Sequence, residues 1–398
     1  MLPGPTHKNR KKTQLRNDLL KQLYYQGTLS LNELSSLVKK SLPLVTNTVN
    51  ELLEEDYVVE CGLAQSTGGR RPLTFMLNPE KPRYIVAVAI DQLVTRVVIY
   101  NLLNKAVSPV ATWMLDLHME QAHEKIAGFV KDYITNSGIP NNHLLGIGIS
   151  MPGFINMEEG INHTFFKPIQ GGIGEYLQQA TRLTVFIDND SSSIALAELK
   201  YGAAKGLKEV MVVNIGWGIG LGMIVNGQLF RGHSGLAGEF SHIPLSLTNN
   251  LCSCGKRGCL EVDASLLVVA EKAKSAMLRG EKSSLRELFE QENQLPGDQV
   301  LVAVKTGDPL AISLLAESTF MIGKGIATLI HIMNPERVVL SGRGATAGKI
   351  LLAPVNQAIN EFCIPRLAEY THLHVSDLAH EAALLGAAAL VMENCNLN

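Results

Sequence analysis

The chain has 398 residues, of which 46% are hydrophobic, 18% charged and 6% aromatic, with 35 glycines. That balance fits an ordinary α/β globular protein of roughly two or three structural units and excludes a coiled coil or a disordered chain. Net charge is only −2, yet residues 1–50 carry eight Lys or Arg against Asp18 and Glu33, while the residues after 80 count 25 basic against 29 acidic. A basic head on a mildly acidic body points either to a phosphate backbone as partner or to a solvated basic tail.

Residues 13–26 predict a helix, with Leu15, Leu19, Leu20 and Leu23 on one face and Gly27 just past its end. A short helix carrying Leu31, Leu34, Leu37 and Val38 follows. A third is expected from about Ser41, a good cap, with Pro43 in its first turn and Leu44, Val45, Val49, Leu52 and Leu53 turned inward. That spacing leaves Thr46, Asn47 and Asn50 on the opposite face, side chains able to reach base edges in a major groove. Tyr57 to Val59, a basic tip at Gly68-Gly69-Arg70-Arg71-Pro72, and Leu73, Phe75 and Leu77 then read as a β-hairpin. Three helices followed by such a hairpin describe a winged helix-turn-helix over residues 1–80. The basic arm (Lys8, Arg10, Lys11, Lys12) and the Arg70-Arg71 tip favour DNA over a protein-interaction module as its partner, with Ser41, Thr46, Asn47, Asn50, Arg70 and Arg71 as the contacts.

Asn78-Pro79-Glu80-Lys81-Pro82 is a linker, since two close prolines interrupt helix and sheet alike. Beyond it, strands are expected at 84–89, 95–100, 144–149, 184–188, 210–215, 221–225 and 337–341. They alternate with helices near 119–136, 191–204, 264–279, 310–333, 349–362 and 380–393. This alternation predicts an α/β body over residues 81–398.

Three segments of the body carry chemistry. Asn214-Ile-Gly216-Trp-Gly218-Ile-Gly220-Leu-Gly222 joins two strands through four alternate glycines, either to let a ligand approach the backbone or as a tight core hairpin. Gly235-Leu-Ala-Gly238-Glu239-Phe-Ser-His242 is followed by Cys252-Ser-Cys254-Gly-Lys-Arg-Gly-Cys259-Leu-Glu261. One imidazole and three thiolates are the donors a tetrahedral structural zinc prefers, one ion per chain, and Gly255 and Gly258 permit the turns that wrap three sulfurs around it. Six cysteines are too few for a disulfide framework at this size, no stretch approaches the ~20 uninterrupted apolar residues of a membrane helix, and no apolar signal core follows the first charges. A cytoplasmic protein without membrane contact is therefore expected. The metal loop would hold Glu239 and Glu261 where they can accept hydrogen bonds from a polyol. Asp188-Asn189-Asp190 ends a strand, where ligands bind in such sheets, although a cap or a solvated charge is the simpler role for Asp188.

The histidine and cysteine box, preceded by the glycine hairpin and an Asn-Asp pair before a helix rich in Ala and Glu, resembles the ROK family of sugar kinases and repressors. With the winged helix and the Gly-Gly-Arg-Arg-Pro segment, the chain is similar to the repressor branch of the xylose and N-acetylglucosamine repressor type. The resemblance implies an actin- and hexokinase-like (ribonuclease H-like) body of two lobes: one of about 81–190 plus the C-terminal helix 380–398, the other of about 191–379. It implies that Gly153, Asn189, Asp190, Glu239, His242 and Glu261 bind a sugar in the cleft between them, with His242 serving metal and sugar together. In the kinases the aspartate matching Asp190 is the base that activates the attacking hydroxyl.

Two departures separate this chain from those kinases. Where the resemblance implies Asp-x-Gly-Gly-Thr for the phosphate turn, this chain has Asp91-Gln92-Leu93-Val94-Thr95, and Trp217 adds bulk at the second phosphate turn. Asp190 is then a vestigial base, and the expected function is a sugar-responsive repressor of carbohydrate genes. Its expected partners are operator DNA, a sugar or sugar-phosphate effector, and a second copy of itself in a homodimer or tetramer. The alternative is an ATP-dependent hexose or amino-sugar kinase with a regulatory head, for which the retained Leu340-Ser-Gly342-Arg-Gly344 loop speaks. Ser241, where the family has glycine, is small enough to leave the metal geometry intact.

Overall fold

The computed structural model describes residues 7–63, 71–166, 172–246, 248–291 and 294–397. Helices His7–Gln26, Leu31–Val38 and Leu42–Glu54 build the head, and strands Val58–Leu63 and Leu73–Leu77 pair antiparallel as the hairpin, with Leu29–Ser30 added on the outer edge of the second. Leu19, Leu20, Leu34, Val45, Val49 and Leu52 are fully buried between them. The second helix starts where it does because Ser30 and Glu33 form a reciprocal capping box. It stops at Lys39, whose left-handed φ of 52° turns the chain.

The third helix corrects two expectations. Ser41 holds the cap position, but its hydroxyl makes no capping bond among the described residues, which leaves it exposed and free to donate. Leu44 is 47% exposed, and Thr48 takes its place in the core. The reason is angular: Val45, Thr48, Val49 and Leu52 follow i, i+3, i+4 and i+7, so Leu44 falls about 100° to one side of that face. Asn47 and Asn50 are exposed and Thr46 half-buried, its hydroxyl donating to the Leu42 carbonyl. Arg70 lies outside the described residues; Arg71 is exposed.

The body contains two five-stranded sheets with one plan. In the first, Ala111–Met114, Val94–Asn101 and Tyr84–Ile90 run antiparallel, and Leu144–Met151 and Val185–Asn189 continue parallel to the last of these. In the second, Gln228–Phe230, Ile219–Val225 and Val210–Ile215 run antiparallel, and Arg337–Ser341 and His372–Val375 follow in parallel. The short edge strands 111–114, 228–230 and 372–375 are only three or four residues long and were not expected from the sequence. The buried strands, read as apolar runs, appear within two residues of their expected bounds at most ends. Helix Pro309–Met333 is long and apolar enough to cross a membrane by length and composition, but 61% of its most apolar stretch is buried inside the protein. Ile322, Ile326 and Ile330 form part of the second sheet's core there.

Helices Asp190–Tyr201 and Ala382–Asn394 pack against each other closely, because Gly386 leaves room for the Ser193 carbonyl. Gly220 and Gly222 do the same on the other side of the first helix, where a Cβ would strike the Ser191 hydroxyl or Ala195. Two of the four alternate glycines thus serve helix-on-strand packing.

Candidate functional site

All six expected sugar contacts line one cleft between the two sheets, which encloses ≈ 200 Å³: Gly153, Asn189, Asp190, Glu239, His242 and Glu261. Strand ends supply the first three. Asn189 closes the strand Val185–Asn189 and caps the following helix, its Oδ1 accepting from the Ser191 and Ser192 amides, while its Nδ2 donates to the Gly153 carbonyl over 3.1 Å. Gly153 has φ of 106°, and a Cβ there would crowd Asn162 and Thr164 at 2.9 Å. Asp190 opens the helix. Its Oδ1 accepts from the Ser191 amide at 2.8 Å and its Oδ2 from Asn214 Nδ2 at 3.1 Å. Burial, followed by the nearby Asp91 carboxylate, pushes the Asp190 pKa up to about 6.

Because that pKa stands above the unfolded value, the native protein holds the extra proton, and its stability falls as pH rises from about 4 through about 6. Asp190→Asn is therefore expected to gain melting temperature relative to wild type over that range, by an increment larger at pH 7 than at pH 4. An increment that does not vary with pH would show that Asp190 titrates normally.

Glu239, His242 and Glu261 come from the loop after the second hairpin. Glu261 Oε2 accepts from the Ile219 amide at 3.0 Å; burial pushes its pKa up to about 7, and the Ile219 amide is the largest influence holding it down. Burial also raises the Glu239 carboxyl, so two acids face the cleft with strong acceptor oxygens.

The metal donors converge. His242, Cys252, Cys254 and Cys259 offer ligand atoms all within 4.8 Å of one another. Cys254 Sγ and Cys259 Sγ stand 3.7 Å apart, as do Cys252 Sγ and His242 Nδ1. Metal–sulfur bonds of ~2.3 Å in a tetrahedron place sulfurs about 3.8 Å apart, so the four groups fit a metal ion of zinc's size and softness. Gly255 (φ 82°) and Gly258 (φ 76°) make the turns of this box, with open space around them, so backbone conformation is what demands glycine there. With Nδ1 on the donor side, His242 keeps Nε2 toward Glu239, 3.9 Å away.

Two features escaped sequence reasoning. Asp188 is neither a cap nor solvated: it is 1% exposed and paired with both guanidinium nitrogens of Arg231 at 2.8 and 2.7 Å. Forty-three positions separate the two, and nothing local in the sequence marks Arg231. The other is Arg343, whose Nη1 lies 2.8 Å from both oxygens of Asp298 and whose Nη2 lies 3.4 Å from Asp91 Oδ2. Its guanidinium stacks 4.6 Å over the Trp217 ring. Trp217 itself is buried, packed where Gly297 lacks a side chain, so its bulk goes largely into the core although the residue also lines the cleft. In the 91–95 turn, Val94 is buried in the core of the second sheet and Leu93 packs beside it. Asp91, Gln92 and Arg343 line this end of the cleft, from both lobes.

Residues 113–394 match the ROK family. The xylose repressor of Caldicellulosiruptor bescii is 27% identical over 382 residues, 94% of each chain. The glucokinase of Halalkalibacterium halodurans is 32% identical over 259 residues, covering 64% of this chain and 78% of that one. Among solved structures, a ROK family transcriptional regulator described as a homolog of the E. coli MLC protein superposes with a TM-score of 0.77 at 23% identity, covering 96% of both chains.

Proposed function

The chain belongs to the ROK family, and from that membership we propose that it is a sugar-responsive transcriptional repressor whose head, residues 1–80, binds operator DNA and whose body, residues 81–398, binds the effector. The observation that carries this reading is the contrast between the two ends of the cleft. At one end Asn189, Asp190, Glu239, His242 and Glu261 present acceptors and donors suited to vicinal hydroxyls. At the other, Leu93 and Val94 fill the phosphate turn and Arg343 ties Asp91 to Asp298. Backbone that must approach a triphosphate needs glycine; here it carries a packed core. In this reading Asp190 keeps its raised pKa as a relic of base chemistry and acts as a hydrogen-bonding group. His242, Cys252, Cys254 and Cys259 hold one zinc ion, which supplies no chemistry beyond fixing the loop that carries Glu239 and Glu261.

The test is a melting-temperature screen against D-xylose, D-glucose, N-acetyl-D-glucosamine and their phosphates, paired with an assay for ADP release. A bound sugar at 100 times its Kd stabilises by ~2.7 kcal/mol, a shift of several degrees at most. The expected result is such a shift with one sugar class and no ADP. Turnover on the order of 1 per second with any hexose would establish the kinase instead.

For the head, Arg70→Ala with Arg71→Ala is expected to weaken binding of any duplex and to reduce the slope of log affinity against log salt by about 0.9 for each phosphate no longer neutralised. Ser41, Thr46, Asn47 and Asn50 belong to the sequence-reading surface, so Asn50→Ala should alter preference between duplexes with little change in that slope. Equal losses on all duplexes for both variants would deny the division of labour.

A further inference from the structure

We propose that helices Asp190–Tyr201 and Ala382–Asn394 act as a paired strut that transmits the state of the sugar cleft to the DNA-binding head, with Lys200, Tyr201 and Glu393 as the coupling residues. The proposal rests on the repressor reading above and assigns its regulation to particular side chains. Both helices begin at the cleft: Asn189, Asp190, Ser191 and Ser192 line it at the start of one, and His380 and Ala383 at the start of the other. Both end at the joint with the head. Twelve residues at 1.5 Å each make the first about 18 Å long, so one rigid element spans the distance.

At the far end the contacts are dense and polar. Lys200 Nζ pairs with Glu393 Oε1 at 2.6 Å and lies 4.3 Å over the ring of Tyr25 in the first helix of the head. Lys21, also in the head, donates to the Glu393 carbonyl at 2.6 Å and lies 3.7 Å from its carboxylate. The Tyr201 ring stands 5.6 Å from that of Tyr25 and 6.5 Å from that of Tyr24. Past the second helix, Asn17 donates to Asn396 Oδ1 at 3.2 Å and Arg16 to the Leu397 carbonyl. The head is thus seated on the ends of these two helices.

Between its ends the strut has little freedom to absorb movement. Gly220 and Gly222 press on the first helix from the second sheet, and Gly386 presses from the other helix, each close enough that a Cβ would collide. Glu198, fully buried, accepts from the Ser341 hydroxyl at 2.7 Å and from the Ala203 amide at 2.9 Å. Packed interiors transmit small displacements as whole-element shifts because they do not deform continuously. A shift of Asn189 and Asp190 toward a bound sugar moves Lys200 and Tyr201 against Tyr25, and with them the angle of the head.

The test compares full-length wild type with Lys200→Met combined with Glu393→Gln, and separately with Tyr201→Leu. Removing both charges together avoids leaving either Lys200 or Glu393 without the other, and Lys21 keeps its bond to the Glu393 backbone carbonyl. D-xylose, D-glucose and N-acetyl-D-glucosamine are titrated in the presence and absence of a duplex that wild type selects from a random library. Allosteric couplings commonly amount to ~5- to 150-fold. The expected result is that the variants keep the wild-type sugar Kd and the wild-type duplex Kd, each measured alone, within about threefold, while the coupling factor drops below about threefold. A wild-type coupling factor in both variants overturns the strut.

Amide hydrogen exchange gives a second readout that needs no sugar. Loss of the far-end contacts is expected to speed exchange at residues 19–26 and also at 188–193 by the cleft. Faster exchange confined to 19–26 and 389–397 means a purely local joint and overturns the proposal. If none of the three sugars binds wild type, the repressor reading loses its effector, while the exchange pattern still decides the strut.

Discussion

Arg231→Met is expected to destabilise the protein by ~3–5 kcal/mol at pH 8, because it leaves the Asp188 carboxylate buried without its partner. The side chain of Asp188 is 2% exposed, and it meets Arg231 through two short hydrogen bonds that only a guanidinium supplies in that geometry. Burial raises the Asp188 pKa, and the Arg231 guanidinium is the largest influence pulling it back. Without the arginine the native carboxyl takes up its proton at higher pH than the unfolded one, so stability falls as pH rises across that window. The deficit relative to wild type should accordingly be smaller at pH 5 than at pH 8. Guanidinium denaturation at the two pH values checks both magnitude and sign. Asp188→Leu combined with Arg231→Met should recover most of the loss, since a buried pair is often replaceable by apolar packing when both members go. A loss under 1 kcal/mol for Arg231→Met alone would place the pair among ordinary surface bridges.

Cys254→Ser, or removal of metal from wild type with a chelator, should lower sugar affinity by ~10- to 100-fold, a range set by what the loop holds in place. Glu239 and His242 lie just before the cysteines and Glu261 two residues after Cys259, so a metal ion held by the four donors would fix the position of both acids. Hydrogen bonds to charged groups contribute ~1.5–3 kcal/mol each, and loss of position at one such acid already accounts for at least a tenfold effect. Metal content by atomic emission and sugar titration by calorimetry, on the same preparations, provide the check. Metal loss with sugar affinity held within twofold would show that the box braces nothing in the cleft. Conservation of secondary structure in the far-ultraviolet region should accompany the loss, because the two sheet cores contain none of the ligands His242 and Cys254.

Local signals accounted for the two-part architecture, the three head helices, the central strands of both sheets and the cysteine box, whereas the set of cleft residues came from the family resemblance. Val45, Val49 and Leu52 repeat at helical spacing, strands such as Val210–Ile215 are apolar throughout, and the cysteine box is dense enough in thiols to imply a metal from composition alone. Each of these is written in neighbours a few residues apart, and secondary structure and turn chemistry respond to such neighbours.

What local pattern could not supply is the partnership of residues far apart in the chain. Arg231 with Asp188, Arg343 with Asp91 and Asp298, and Lys200 with Glu393 and Tyr25 each depend on how two or three elements stack. The same holds for the glycines at 220 and 222: their spacing looks like a ligand loop, yet the helix lying on them decides that they serve packing. A charge or a missing Cβ has no preferred partner until burial removes water from the competition. The balance between desolvation and pairing is settled only where the assembled fold brings the groups together.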